Sequence, residues 1–359
     1  MYTYNLLIFK ISLLIVLLFS FSNLKAQTEV FKSNLYISDD NLTKNFSSIS
    51  IDSTQIYVNS NDYYIHAFDK KTGQINWSYY LANKSNTAPI IHKNSIIVEK
   101  HVSEYYNNCI QLNSKTGDTI QTLNISEIFN QPLFKNDIMY TTAISSETGG
   151  CILAYDLNKN KIIWKQFVAH GVAIQPYFLK NKIIANAEDD NWFDIDYNGV
   201  MDTLCKKKTS IFVENIKCVK NFLVLTHDNK EIDASFLTEN LGDYEAFQFK
   251  TYNSKTFFIG TETLLILGNN KKVLHKVNLN DIILPLEILF NEYKSILKIE
   301  NTTIWFFSNN KIVEYDFQKE KVNYQFDLSK WNPHRLLLEN DLIYLISKKD
   351  GQLYKVQFD

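Results

Sequence analysis

Glycine and proline are scarce, with 10 and 5 among 359 residues. That excludes a collagen-like or Gly/Pro low-complexity chain. It also leaves tight turns to Asn and Asp, which tolerate left-handed backbone. Only four cysteines occur, Cys109, Cys151, Cys205 and Cys218. None are adjacent, and the absence of Cys-x-x-Cys-His excludes covalently attached haem. Four cysteines permit three pairings. Cys205 and Cys218 are the better pair by proximity, while Cys109 and Cys151 hold matching positions in neighbouring repeats. Four buried thiols is the other reading. Charge of one sign is lacking too. Lys and Arg number 37 against 39 Asp and Glu, for a net charge of −2. The one basic run, Lys206-Lys207-Lys208, suits a solvated turn, so no nucleic-acid surface is expected. No Ser/His/Asp set, phosphate-binding loop or His-rich cluster stands out, so no catalytic residue, cofactor or metal is assigned.

The first residues look like an export signal. Lys10 is the only charged side chain of the start, and Ile11–Phe21 is apolar apart from two serines. Asn23-Leu24-Lys25-Ala26 ends in a small residue, so residues 1–26 are expected to be a signal peptide with Gln27 opening the mature chain. The other reading of the run is an uncleaved anchor. Beyond it no apolar stretch approaches the roughly 20 residues of a membrane span, so residues 27–359 are expected to be one exported domain without an integral span.

What is present is a repeat. Ile56-Tyr57-Val58-Asn59 leads through Asn61-Asp62 into Tyr64–Asp69, then Thr72-Gly73 and Gln74-Ile75-Asn76-Trp77. The pattern returns at Ala154-Tyr155-Asp156 with Lys161-Ile162-Ile163-Trp164. The offset from Ala67 to Ala154 is 87 residues, two steps of about 43, a period that belongs to a four-stranded propeller blade. Weaker units begin near Ala88, Gln175, Phe212, Tyr244, Ile288 and His334. Gln121 stands where the second unit should carry Trp, and Tyr324 stands there in the seventh. The expected fold is all-β, an eight-bladed propeller of four-stranded antiparallel blades. It has seven blades if the eroded segment near Phe212–Asn240 is none. The last unit has three strands, and Glu29–Ile37 has strand character without a partner, so it is expected to complete that blade and leave only short, protected edges.

Alternation in Gln55–Asn59 and Tyr64–Phe68 places one face of each strand in each of two inter-blade cores. Ala67 leaves room for a ring, and Trp77 is expected to fill it from the outer strand. Where Gln121 replaces Trp, the inter-blade contact is expected to be weaker.

The Ala, Asp, Thr-Gly and Trp at fixed offsets resemble the repeat of pyrroloquinoline-quinone-type (PQQ-like) propellers. The match is complete at Ala67–Trp77 and keeps Ala, Asp and Trp at Ala154–Trp164. The resemblance implies blade docking for Ala67, Asp69, Gly73, Trp77, Ala154, Asp156 and Trp164. The long quinoprotein dehydrogenases use a vicinal Cys-Cys that this chain lacks. The compact exported propellers of the outer-membrane barrel assembly machinery are nearer in type. They are non-catalytic scaffolds, implying here an unidentified protein partner, no cofactor and a periplasmic or extracellular location. Their lipid anchor requires a Cys that is absent near Gln27.

Two sites remain to be placed. Asp194-x-Asp196-x-Asn198-Gly199-x-x-Asp202 resembles a calcium loop, but Cys205 stands at the twelfth position where an acidic ligand is expected, and the segment lies in frame with an ordinary blade hairpin turning at Asn-Gly, which is the favoured reading. A rim of loops on one face carries His101, Glu104, Tyr105, Tyr106, Glu147, His170, Glu188, Asp189, Asp190 and Trp192. Aromatics beside carboxylates there suit a protein or sugar, and solvated loops are the plain alternative. The function read from the sequence is therefore a protein-binding scaffold. The alternative is a PQQ-dependent or other enzyme acting through that rim.

Overall fold

The computed structural model describes residues 27–35, 48–82, 87–103, 106–128, 130–145, 149–168, 177–179, 181–186, 192–205, 224–225, 231–232, 248–260, 262–268, 272–283 and 295–358. The N-terminal strand β1 spans Gln27–Lys32. The first sheet follows as β2 (Ser48–Ile51), β3 (Gln55–Asn59), β4 (Tyr64–Asp69) and β5 (Ile75–Tyr80), paired in that order. Antiparallel four-stranded sheets of the same order recur over 90–122, 177–205, 248–278 and 295–327. The sheet over 133–167 has a fifth, two-residue strand at Glu127–Ile128. Between the sheets of 177–205 and 248–278, Val224–Leu225 pairs with Glu231–Ile232.

Period-two alternation explains how the sheets stack. Along the middle strands, Tyr57, Ile65 and Ala67 pack against Ile96, Val98, Ile110 and Leu112 of the next sheet. Their alternate neighbours Ile56, Val58 and Phe68 pack against Tyr344, Ile346 and Leu353 of the final sheet. Successive side chains thus face opposite neighbours, so β3 is buried at every residue while the edge strand β5 buries only Trp77 fully. The same arrangement joins 90–122 to 133–167, 133–167 to 177–205, 248–278 to 295–327, and 295–327 to the final sheet. Each large apolar side chain so buried contributes about 1.5–3 kcal/mol.

The final sheet contains Pro333–Glu339, Leu342–Ser347 and Leu353–Phe358, and its fourth, outer strand is β1. Gln27 lies opposite Phe358 and Lys32 opposite Tyr354, with a bulge between Glu29 and Phe31. Gln352 fixes the junction. Its side chain accepts from Ser33 Oγ (2.7 Å) and Leu35 N (2.8 Å) and donates to Leu35 O (2.7 Å). The pairing starts at Gln27, earlier than the sequence places it. Tyr36 and Ile37 lie outside the described residues.

Candidate protein-interaction surface

The residues expected to dock blades meet the neighbouring sheet in one repeated geometry. The Trp77 indole N–H donates to Ser114 O at 3.0 Å, and its ring lies where a side chain on Gly117 would be, 2.7 Å from an added methyl. The Trp164 N–H donates to Tyr197 O at 3.0 Å, with its ring against Gly199. Both glycines have positive φ (77° and 87°), a backbone that glycine adopts without penalty. Tyr57 and Tyr140 support the two indoles at the same centroid distance, 6.1 Å. Ala67 and Ala154 lie directly across from Trp77 and Trp164 in the strand register.

Two contacts of this kind were not visible in the sequence. Gly73 receives the ring of Phe31, at 2.6 Å from an added methyl, so β1 supplies the docking aromatic of the final sheet. Gln121, in the place of Trp, donates through Nε2 to Leu157 O at 2.7 Å. The polar half of the contact is therefore kept, because a carboxamide N–H reaches the same class of carbonyl as an indole N–H. The turn aspartates hold the hairpins. Asp69 Oδ1 accepts from Thr72 N (2.7 Å) and Lys71 N (3.0 Å), and Asp156 Oδ1 from Lys159 N (3.0 Å) and Asn158 N (3.1 Å). The backbone N–H of Thr72, with its hydroxyl, draws the Asp69 carboxyl below the usual range.

The calcium-like segment is such a hairpin. Asp196 Oδ1 accepts from Asn198 N (2.8 Å) and Val200 N (2.9 Å). Asp194 forms an ion pair with Lys182 and lies across from Asp202. The Lys182 ammonium is held charged first by the hydrogen bond to Asp194, with Asp202 and Asp196 adding to it. Lys182 thus pairs with Asp194, while Asp196 is engaged by the N–H groups of its own hairpin. Among the described residues no three His, Cys, Asp or Glu side chains gather to hold a metal. Cys109 and Cys151 are buried in one inter-sheet cluster without a disulfide. Burial, with Glu99 and Glu127 adding, pushes the Cys109 thiol well up. Cys205 ends a strand with its side chain outside the description, as is Cys218.

Of the expected rim, His101 is exposed at the end of Ser95–Ser103, with Nδ1 3.2 Å from Asn107 Oδ1. Tyr106 and Trp192 begin strands, and their side chains lie outside the described residues. So do Glu104, Tyr105, Glu147, His170, Glu188, Asp189 and Asp190.

The structure places other aromatics beside His101. Its N–H donates to Leu81 O at 2.8 Å, and Leu81 N donates to Tyr63 O at 2.9 Å. This joins the loop between β3 and β4, the exit of β5 and the end of Ser95–Ser103. Tyr63, Tyr64, Tyr80 and Val102 are exposed there, Tyr80 by 52% and Val102 by 50%. The rings of Tyr64 and Tyr80 lie 5.0 Å apart and that of Tyr64 stacks on His66 at 5.8 Å. Tyr63 has φ 70°, uncommon for a bulky residue and a feature of loops held by their surroundings. Below the pair, His66 Nε2 meets Asp62 Oδ2 at 2.8 Å and Nδ1 meets Ser78 Oγ at 2.7 Å. The sequence did not reveal this set, because Ser78 meets His66 only through strand register. The single local signal was Asp62 four residues before His66 across a turn.

Four-stranded antiparallel sheets stacked face to face, docked by the outer-strand rings of Trp77, Trp164 and Phe31 and by Gln121 in the place of a fourth, have the architecture of a β-propeller. Comparison with known proteins agrees. Residues 40–131 match the family described as outer membrane protein assembly factor BamB. The whole fold is similar to BamB from Moraxella catarrhalis, with a TM-score of 0.61 at 13% identity, covering 93% of this chain and 98% of that one. It is also similar to the computationally designed Ika8 protein, with a TM-score of 0.58 at 14% identity, covering 87% and 95%. No curated protein sequence matches the chain. At such identities the structural likeness establishes the fold alone. Among the described residues no helix is long and apolar enough to cross a membrane.

Proposed function

We propose that the chain is an exported propeller that acts as a protein-binding scaffold in the cell envelope, periplasmic or extracellular. On this reading residues 1–26 are a removed signal peptide and residues 27–359 are one domain. Its ring has eight blades, the fifth near Phe212–Asn240, where Val224–Leu225 pairs with Glu231–Ile232. Pairing of β1 with Leu353–Phe358 closes the ring. The observation that carries the proposal is the exposed cluster of Tyr63, Tyr64, Tyr80 and Val102 beside His101. Large amphipathic rings with few rotatable bonds are the side chains that anchor protein interfaces. The match of residues 40–131 to an outer membrane protein assembly factor supports a protein partner in the envelope.

The test is affinity capture from intact envelopes with the wild type, a Tyr64→Ala/Tyr80→Ala variant, and a charge reversal of Glu188, Asp189 and Asp190. The tyrosine variant should weaken capture of a specific protein about tenfold or more. The charge reversal should abolish it, and neither should move the melting temperature. Capture unchanged in both variants removes this face from the function.

A further inference from the structure

We propose that Ser78 is a nucleophile activated by His66 and Asp62, and that this corner of the first sheet cleaves carboxylic esters bearing an aryl group. This goes beyond the scaffold reading and does not depend on it. Three side chains far apart in chemistry meet in one line, Asp62 Oδ2 to His66 Nε2 at 2.8 Å and His66 Nδ1 to Ser78 Oγ at 2.7 Å. A carboxylate only accepts hydrogen bonds, so Nε2 carries the ring proton and Nδ1 of the neutral imidazole accepts from the serine hydroxyl. That is the polarity of a nucleophile, a base and an orienting acid.

Strand register explains the geometry. Leu81 N donates to Tyr63 O, which makes that pair hydrogen-bonded. Counting inward through the printed register, Tyr64 with Tyr80 and His66 with Ser78 are non-hydrogen-bonded pairs. In such pairs the side chains approach most closely. The backbone N–H of Ser78 then points away from β4, off the open edge of the sheet, since β5 is the edge strand. A carbonyl carbon at Ser78 Oγ would have its oxygen within reach of that donor, where negative charge develops. His66 is buried while Ser78 is exposed, so the base is shielded and the nucleophile is accessible. Tyr64 and Tyr80, one pair further along the same face, offer the aryl group a platform.

In the reaction Ser78 Oγ bonds to the acyl carbon, its proton passes to His66 Nδ1, and the bond to the leaving oxygen breaks. The leaving oxygen takes that proton. Water then attacks the acyl carbon, gives a proton to Nδ1, and Ser78 recovers it as the acid departs. Asp62 is a positioning residue. With one backbone donor, acylation is expected to outrun deacylation, so a burst is the readout.

The experiment treats the mature chain with an alkyl fluorophosphonate and maps the adduct by mass spectrometry, with release of p-nitrophenol from p-nitrophenyl acetate followed in parallel. The expected result is one adduct, on Ser78, and a burst near one equivalent. Ser78→Ala should lose both, His66→Gln should slow labelling by about 100-fold, and Asp62→Asn by about tenfold or more. Asp62→Asn retains an oxygen to accept from Tyr64 N, so it carries the test if His66→Gln fails to fold by circular dichroism. An unmodified Ser78, or an adduct formed on Ser78 at the wild-type rate in Asp62→Asn, overturns the proposal and leaves a structural cross-strand hydrogen bond.

Discussion

A tryptophan on an outer strand holds two sheets together in two ways, by its ring on the glycine of the next hairpin and by its N–H on a carbonyl there. Trp77 does both, whereas Gln121 keeps the hydrogen bond. Trp77→Ala should therefore cost about 3–5 kcal/mol, and Gln121→Ala about 0.5–1.5 kcal/mol. Urea unfolding of the two variants measures the ratio, and equal losses would remove the ring from the account. A second residue-scale contact is electrostatic. Asp137 is hydrogen-bonded by Lys93 and by His92 at 3.2 Å across the boundary between the sheets of 90–122 and 133–167, and by Asn158 of its own sheet at 3.1 Å. The Lys93 ammonium first, then His92 and Asn158, hold its carboxyl down at about 2. A carboxylate whose folded pKa is depressed adds stability above its unfolded value near 4 and loses it as pH falls through the folded value. The melting-temperature advantage of the wild type over Asp137→Asn should be constant near pH 5–6 and vanish between about pH 4 and 2. An advantage unchanged at pH 2 would contradict the clamp.

At the scale of elements, β1 is the decisive strand. Its sequence signal was a strand-like segment near the N-terminus and a last unit one strand short. Both were legible because strand patterns are local. The clamp of Gln352 on Ser33 and Leu35, and the ring of Phe31 on Gly73, were not legible, since they join residues hundreds of positions apart or on different sheets. Phe31→Ala should remove the aromatic contact that links the final sheet to the first. Hydrogen exchange is then expected to quicken at Leu353–Val356 and in β4, with Met139–Ala143 unaffected. A uniform increase along the chain would mean that β1 acts on global stability instead. The calcium-like segment shows the reverse case. Alternating oxygens with a glycine suit a metal loop and a strand hairpin alike, and the pairing of Asp194 with Lys182 is a contact that only the third dimension supplies.

For the whole molecule, the serial packing of sheets makes the first and final sheets neighbours, although the repeats have diverged in sequence. Local rules determined much of this. The two-residue alternation, the Asp and Asn turns, the period of about 43 and the docking tryptophans specify four-stranded units and their all-β class, because each depends on residues within a few positions of one another. Tertiary structure alone decided that Phe31 serves as the docking ring of the final sheet, that Tyr63, Tyr64 and Tyr80 share a surface with His101, and that Asp62, His66 and Ser78 align. Those meetings are set by strand register and sheet order, and side-chain periodicity is the same whichever strand comes to lie alongside.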